Sequence, residues 1–407
     1  MGPHRILFIE CSVGGVLGGS LTGILHLIDR LDRRRFEPVL VLFEHKRVVD
    51  DLRAKGVRVH VVPDQPDPLT NGRNHARITR GVLRVYEFLG IVLPRARAIS
   101  RVVREEQPSL VYLANGLTSN LDGLVAAARA GIPSISHQKG FRRIGPIERQ
   151  LARWVDLCIG MTDECTDYVR DSGAKCQRFL TVFDGIDCTE FAPGGGQAVR
   201  AEFGVPDGAP LVGLVGHVQE WKGQHIVAEA VARALKKIPD LHCLLVGGLH
   251  RAGQDFGEKL RAKIADQGLS DRIIMTGERS DVPACLDAMD ILIHSSTTPE
   301  PFGRVMIEGM ALSKPVIAPS EGGPLEIVVD GETGILIEPR SPEALADAIV
   351  TLCSNPELSR KMGQAGRDRV DAVFDIRHHV AAIEALFDEC IGDTAARPSP
   401  AALGAAS

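Results

Sequence analysis

Short, wholly apolar runs alternate along this chain with segments whose apolar residues recur every three or four positions. The first run, HRILFIECS at residues 4–12, is continuous enough to be a strand covered on both faces. A glycine-rich loop follows, then SLTGILHLIDRL with helical spacing, then FEPVLVLFE as a second strand. VRVHVV, SLVYLA, PSISH and DLCIGMT continue the series to about residue 162. A second series restarts at PLVGLVGH and runs through HCLLVGG, DRIIMTG, DILIHSS and KPVIAPS. Strands alternating with helices in this order predict an α/β protein with parallel sheets.

Because the strand, loop, helix pattern occurs twice, two doubly wound Rossmann-like domains are expected, at residues 1–183 and 201–373. The stretch VFDGIDCTEFAPGGGQ between them is rich in Gly and Pro and predicts a linker over 184–200. FDIRHHVAAIEALFDECI, residues 374–391, has the spacing of a closing helix, and residues 392–407 lack periodicity and predict a disordered tail.

Composition narrows the class. A chain of 407 residues with 44% apolar content can bury two cores, and no run of eighteen apolar residues is present to span a membrane as a helix. The N-terminus passes into a strand-like segment with no apolar secretory h-region, so a cytoplasmic protein is expected. Nine scattered cysteines without a C-x-x-C pair read as reduced, mostly buried thiols.

Charge divides the chain more sharply than its net value of −5 suggests. Residues 1–183 carry 27 basic against 19 acidic residues, and the remainder carries 20 against 33. A basic half suits an anionic surface or substrate. Within it, residues 73–89 place Ile78, Val82, Val85 and Leu89 on one helical stripe and Arg73, Arg77, Arg80 and Arg84 opposite, with Arg95, Arg97, Arg101 and Arg104 following. Two readings stay open for these arginines: a solvated face, or peripheral contact with an anionic inner-leaflet surface beside a lipid-linked acceptor. Nucleic acid is not an expected partner.

The chemistry concentrates in PEPFGRVMIEGM, where seven residues separate Glu300 from Glu308. Pro301 and Gly303 make Glu300 a loop residue, and Val305, Met306, Glu308 and Met310 read as a helix starting near Arg304. A helix start offers unpaired N–H groups that suit a phosphate, and Glu308, one turn further in, can accept hydrogen bonds from neighbouring hydroxyls. A polyhydroxylated, phosphate-bearing ligand is the expectation. The early glycine loop, with Gly18 and Gly19 before a helix, also suits a phosphate, although its spacing matches neither G-x-G-x-x-G nor a P-loop, and a turn that binds nothing is the alternative.

The block from Glu300 through Phe302, Gly303, Glu308, Lys314-Pro315-Val316, Gly322-Gly323-Pro324, Glu326 and Gly331-Glu332-Thr333-Gly334 resembles the donor-binding signature of the family-4 retaining glycosyltransferases, glycosyl transferases group 1. The resemblance implies the GT-B fold: two Rossmann-like domains facing an interdomain cleft, with the last helix crossing back to the N-terminal domain. It also implies a nucleotide-diphosphate-sugar donor, an acceptor hydroxyl and retention of anomeric configuration. Glu308 would hold the ribose and Glu300 the sugar, while Phe302 and the backbone around Gly303, Arg304 and Val305 would line the donor. Gly216 to Gly223 resembles the family's G-R-x-x-x-x-K-G clamp on the diphosphate, with His217 in the arginine position and Lys222 kept. His137 matches the family's sugar-orienting histidine, Arg279 the loop against the base, and Gly18-Gly19 the loop facing the cleft.

Neither Asp-x-Asp nor H-E-x-x-H is present, and His378 and His379 point about 100° apart on a helix, so no metal and no other cofactor is expected. His217 in place of Arg leaves room for a nucleotide-sugar sensor or scaffold without turnover. A GT-B nucleotide-sugar epimerase is the other alternative.

Overall fold

The computed structural model describes residues 2–11, 19–46, 48–62, 86–249 and 253–393. It divides into two units: Met1–Phe183 with His379–Ser407, and Asp184–His378. The loop holding Gly18 and the segment holding Arg73, Arg77, Arg80 and Arg84 lie outside the described residues. Gly19 is the first residue of the helix Gly19–Arg30.

The first unit contains β1 (His4–Glu10), β2 (Phe36–Leu42), β3 (Arg58–Val61), β4 (Leu110–Leu113), β5 (Ser134–Gln138), β6 (Leu157–Gly160) and β7 (Arg178–Thr181). They form one parallel sheet in the order β3-β2-β1-β4-β5-β6-β7. Ile6 to Ile9 of β1 and all of β4 are buried, as continuous apolar runs in a two-sided sheet require. The closing helix Ile376–Asp393 is part of this unit from His379 onward. Its fully buried Phe387 sets its ring against Phe8, Phe36 and Tyr112, with centroids 6.1, 5.4 and 5.8 Å away. Glu384 on the same helix accepts from the Asp32 amide at 2.7 Å and from Arg35 at 3.0 Å.

The second unit repeats the plan with β8 (Leu211–Val215), β9 (His242–Val246), β10 (Ile273–Gly277), β11 (Ile291–Ile293), β12 (Val316–Pro319) and β13 (Gly334–Ile337), in the order β10-β9-β8-β11-β12-β13. In both sheets the strand order reverses beside the first strand, between β1 and β4 and between β8 and β11. That reversal leaves a crevice at the carboxyl ends of the two strands, where doubly wound folds take ligands.

Two details depart from the sequence reading. Residues 184–200, expected to be a linker, are folded onto the second unit: Asp287 accepts from the amides of Gly194 and Gly196 at 2.9 and 2.8 Å, and the helix Gly196–Glu202 packs so closely that a Cβ on Gly196 would lie 2.6 Å from the Ala288 nitrogen. The strands β7 and β13, four residues each at a sheet edge, were not anticipated; β7 (RFLT) is mostly half-buried and offers no apolar run, whereas β13 (GILI) does carry one, directly after the turn Gly331-Glu332-Thr333. Among the described residues no helix is long and apolar enough to cross a membrane.

Candidate active site

The reversal in the second sheet puts the loops after β8 and β11 side by side, and local backbone geometry locks them together. Gly223 has φ +75°, and a Cβ there would stand 1.9 Å from the carbonyl oxygen of Ser295. Only glycine meets both conditions. The Thr297 amide donates to the Trp221 carbonyl at 2.7 Å, and the Ser295 hydroxyl donates to the Lys222 carbonyl at 3.0 Å. The Lys222 ammonium lies 4.0 Å from the Trp221 ring centroid, a cation–π contact that helps aim it.

Lys222 and Glu300, far apart in sequence, therefore meet. The ammonium donates to Glu300 Oε2 at 2.7 Å, and the Ser296 hydroxyl donates to the same oxygen at 3.1 Å. The two side chains are 21% and 14% exposed, so the pair is largely withdrawn from water yet reachable. Burial alone would push the Glu300 carboxyl up; Lys222, His294 and Ser296 outweigh it and hold the group below its ordinary value. Behind Glu300, the Gly323 amide donates to its carbonyl at 2.7 Å, and a Cβ on Gly322 would lie 2.7 Å from that oxygen. The Gly322-Gly323 pair thus lets the loop after β12 support the carboxylate's backbone.

Gly303 caps the next helix, Arg304–Ala311, in the left-handed region at φ +96°. Glu308 sits one turn inside it, with Arg304 Nε 3.7 Å from its Oε1 and the Arg304 guanidinium donating to the Gly185 carbonyl at 3.2 Å. Burial raises the Glu308 carboxyl, Arg304 opposes this, and Glu190 adds to it. Val305 is half-buried beside Arg304.

The other anticipated residues lie elsewhere or face elsewhere. Phe302 is 2% exposed and packs edge-on against Phe374, so its ring serves the core of the second unit. His217 is exposed on the loop after β8, and its carbonyl accepts from Gln224 at 2.9 Å. Arg279 is committed to Asp281 at 2.7 Å and to both oxygens of Glu202, an ion-pair corner that holds the guanidinium. His137 belongs to the first unit, has no exposed surface, bonds the Tyr112 hydroxyl and stacks on His379 at 6.1 Å. A hollow of about 770 Å³ is lined by Gln219, Trp221, His225, Glu229 and Arg340 among others; neither Lys222 nor Glu300 lines it. Among the described residues no group of three or more His, Cys, Asp or Glu is placed to hold a metal.

Sequence reasoning missed His294, which follows β11 directly. It is 4% exposed, and its Nε2 lies 3.8 Å from Glu300 Oε2. Burial lowers its imidazole to about 4, with Lys222 adding to the effect and Glu300 opposing it. The signal available in the sequence was its position: a histidine at the carboxyl end of a central strand, six residues before the key carboxylate.

Comparison with known proteins gives the same reading of the architecture. The family model "Glycosyl transferases group 1" matches residues 197–369, and the model "Glycosyl transferase 4-like domain" matches residues 18–182. A D-inositol 3-phosphate glycosyltransferase of Nocardia farcinica is 32% identical over 227 residues, covering 54% of this chain and 50% of that protein. One from Mycolicibacterium smegmatis is 30% identical over 300 residues, covering 72% and 65%. The chain thus spans about half to two thirds of the length of these curated relatives. Among solved structures, Anabaena HepE in complex with UDP and glucose superposes with a TM-score of 0.78 over 95% of this chain and 99% of that one, at 24% identity, a likeness of fold.

The neutral His294 makes stability depend on pH. Its folded value lies below its unfolded one, so the unfolded chain binds the proton first and stability falls as pH drops from about 6.5 towards 4. From this group the slope approaches about 1.4 kcal/mol per pH unit. Urea unfolding followed by Trp221 fluorescence, in a Trp154→Phe background, should show that component in the parent and lose it in His294→Asn. Parallel pH profiles for the two proteins would exclude it.

Proposed function

This chain belongs to the group 1 glycosyltransferases, and on that premise we propose that it moves a sugar from a nucleotide-diphosphate-sugar to an acceptor hydroxyl, with retention and without a metal. The observation that carries the reading is the convergence of Lys222, Ser296 and Glu300 at the switch point of the second sheet, next to the helix that starts after Gly303 and carries Glu308. HepE, solved with UDP and glucose, supports a nucleoside diphosphate sugar as donor.

In this reading Lys222 and the helix start receive the diphosphate, through charge and unpaired N–H groups. Glu308 accepts from the ribose hydroxyls. Glu300 binds the sugar hydroxyls and stabilises positive charge developing at the anomeric carbon. The acceptor oxygen bonds to that carbon on the face the phosphate leaves, and the departing phosphate oxygen takes the acceptor's proton. His137, fully buried in the first unit, is given no substrate contact. His217 in the arginine position favours a second reading, a sensor that binds nucleotide-sugar without turnover.

A thermal-shift panel of UDP-, GDP- and ADP-sugars tests the first reading. A true donor at a hundred times its dissociation constant should stabilise the protein by about 2.7 kcal/mol. Glu308→Ala should weaken bare nucleotide and nucleotide-sugar alike, whereas Glu300→Gln should cut turnover while sparing bare nucleotide. No shift with any donor would refute the reading, and a shift with no transfer across a broad acceptor panel would leave the sensor.

The acceptor side carries its own proposal, contact with an anionic membrane surface. Tyr86 and Leu89 are 68% and 57% exposed, and the exposed Arg97, Arg101 and Arg104 follow them on the helix Leu93–Glu106. Exposed apolar side chains beside a basic stripe suit acidic headgroups, each cation contributing about 1 kcal/mol near the surface. Co-sedimentation with anionic vesicles should be strong at low salt, weak at high salt, and reduced by replacing Arg97, Arg101 and Arg104 with Gln. Equal partitioning to neutral and anionic vesicles would rule the contact out.

A further inference from the structure

We propose that His294 is a positioning residue for Glu300: it is the second partner that keeps this carboxylate in place when a phosphate draws Lys222 away. The inference deepens the donor-site reading and rests on it. Lys222, Ser296 and His294 all face one atom, Glu300 Oε2, at 2.7, 3.1 and 3.8 Å. Lys222 is the nearest, and it is also the cation to which a diphosphate would be attracted. A carboxylate this withdrawn from water cannot lose its counter-charge without a replacement, or its position is lost with it.

His294 is built to be that replacement. It is fixed at the end of β11, its backbone N–H donating to Ile317 at 2.8 Å, and its ring is 4% exposed. Nε2 has no hydrogen-bond partner among the described residues, an unusual state for a buried ring nitrogen. The ring carbon Cε1 stands 3.7 Å from where a Cβ on Gly303 would be, so the imidazole lies directly beneath the helix start. The gap to Glu300 exceeds a normal N–H to oxygen contact by about 0.8 Å, which a small rotation of the carboxylate covers with no backbone movement.

The charges that act on His294 follow the same logic. Besides burial, they are Glu300, which favours protonation, and Lys222, which opposes it. While Lys222 occupies Glu300 the ring stays neutral and waits at 3.8 Å. Once Lys222 turns to a phosphate, the repulsion ends and Glu300 draws the Nε2 proton into a hydrogen bond. A histidine that only fills the core would feel the change in charge but would not bring Nε2 into a hydrogen bond with Glu300.

The test is histidine NMR on the full chain labelled with 15N and 13C, with His294 assigned from the spectrum of His294→Gln. In the ligand-free parent the ring should stay neutral until the pH nears 4. In Lys222→Met, or in Lys222→Gln if the first does not fold, its midpoint should rise by at least one pH unit, and Nε2 should move to a hydrogen-bonded donor position. Saturating the parent with UDP should do the same. In transfer or donor-hydrolysis assays, His294→Asn should retain several-fold more kcat than His294→Phe, with the affinity of both for UDP near that of the parent. An unchanged His294 titration in the Lys222 variants would overturn the proposal. That arm needs no nucleotide, so a failure of UDP to bind would count against uracil as the donor's base and leave the Lys222 arm to decide.

Discussion

Everything placed at this site depends on the contact of Gly223 with the Ser295 carbonyl. Any side chain at Gly223 would push the loop after β8 away from the loop after β11, because its Cβ would overlap the Ser295 oxygen at 1.9 Å. With the loops apart, the Trp221–Thr297 and Lys222–Ser295 hydrogen bonds could not form, and Lys222 would not reach Glu300. The constraint is steric, and its consequence is electrostatic: two opposite charges from distant parts of the chain are held in contact at a sheet's switch point.

Such a pair is an expensive way to stabilise a fold. A partly buried ion pair recovers in attraction about what it costs in desolvation, and apolar residues of similar size would often serve stability as well. The arrangement is better explained as a charge store. Lys222 and Glu300 neutralise each other in the structure, and the proposed donor would offer a phosphate to one and hydroxyl groups to the other. The neighbours fit that account: Gly322 and Gly323 hold the Glu300 backbone, and His294 waits beside the same carboxylate oxygen that Lys222 occupies.

How far the sequence revealed this depended on the range of each interaction. The long, fully covered strands such as β1 and β8 were legible because burial on both faces leaves an unbroken apolar run. The short edge strand β7 was not, since its half-buried positions break the run, and β13 was passed over although its GILI is apolar throughout. The grouping of Glu300, Gly303 and Glu308 around one helix start was visible because these residues sit within a few positions of one another. The pairing of Lys222 with Glu300 was invisible, being set by strand order. The burial of the Phe302 and His137 rings was likewise invisible, because matching a position says nothing of which way a ring points.

The most direct test of the central claim is calorimetry on Lys222→Ala, titrated with the nucleoside diphosphate that stabilises the parent most and, separately, with its nucleoside. The account predicts that the diphosphate weakens by roughly 10- to 100-fold, the range expected for one charge-assisted contact of about 1.5–3 kcal/mol, while the nucleoside stays within about twofold of the parent. Equal losses for both ligands, or no loss for either, would contradict a diphosphate site at Lys222.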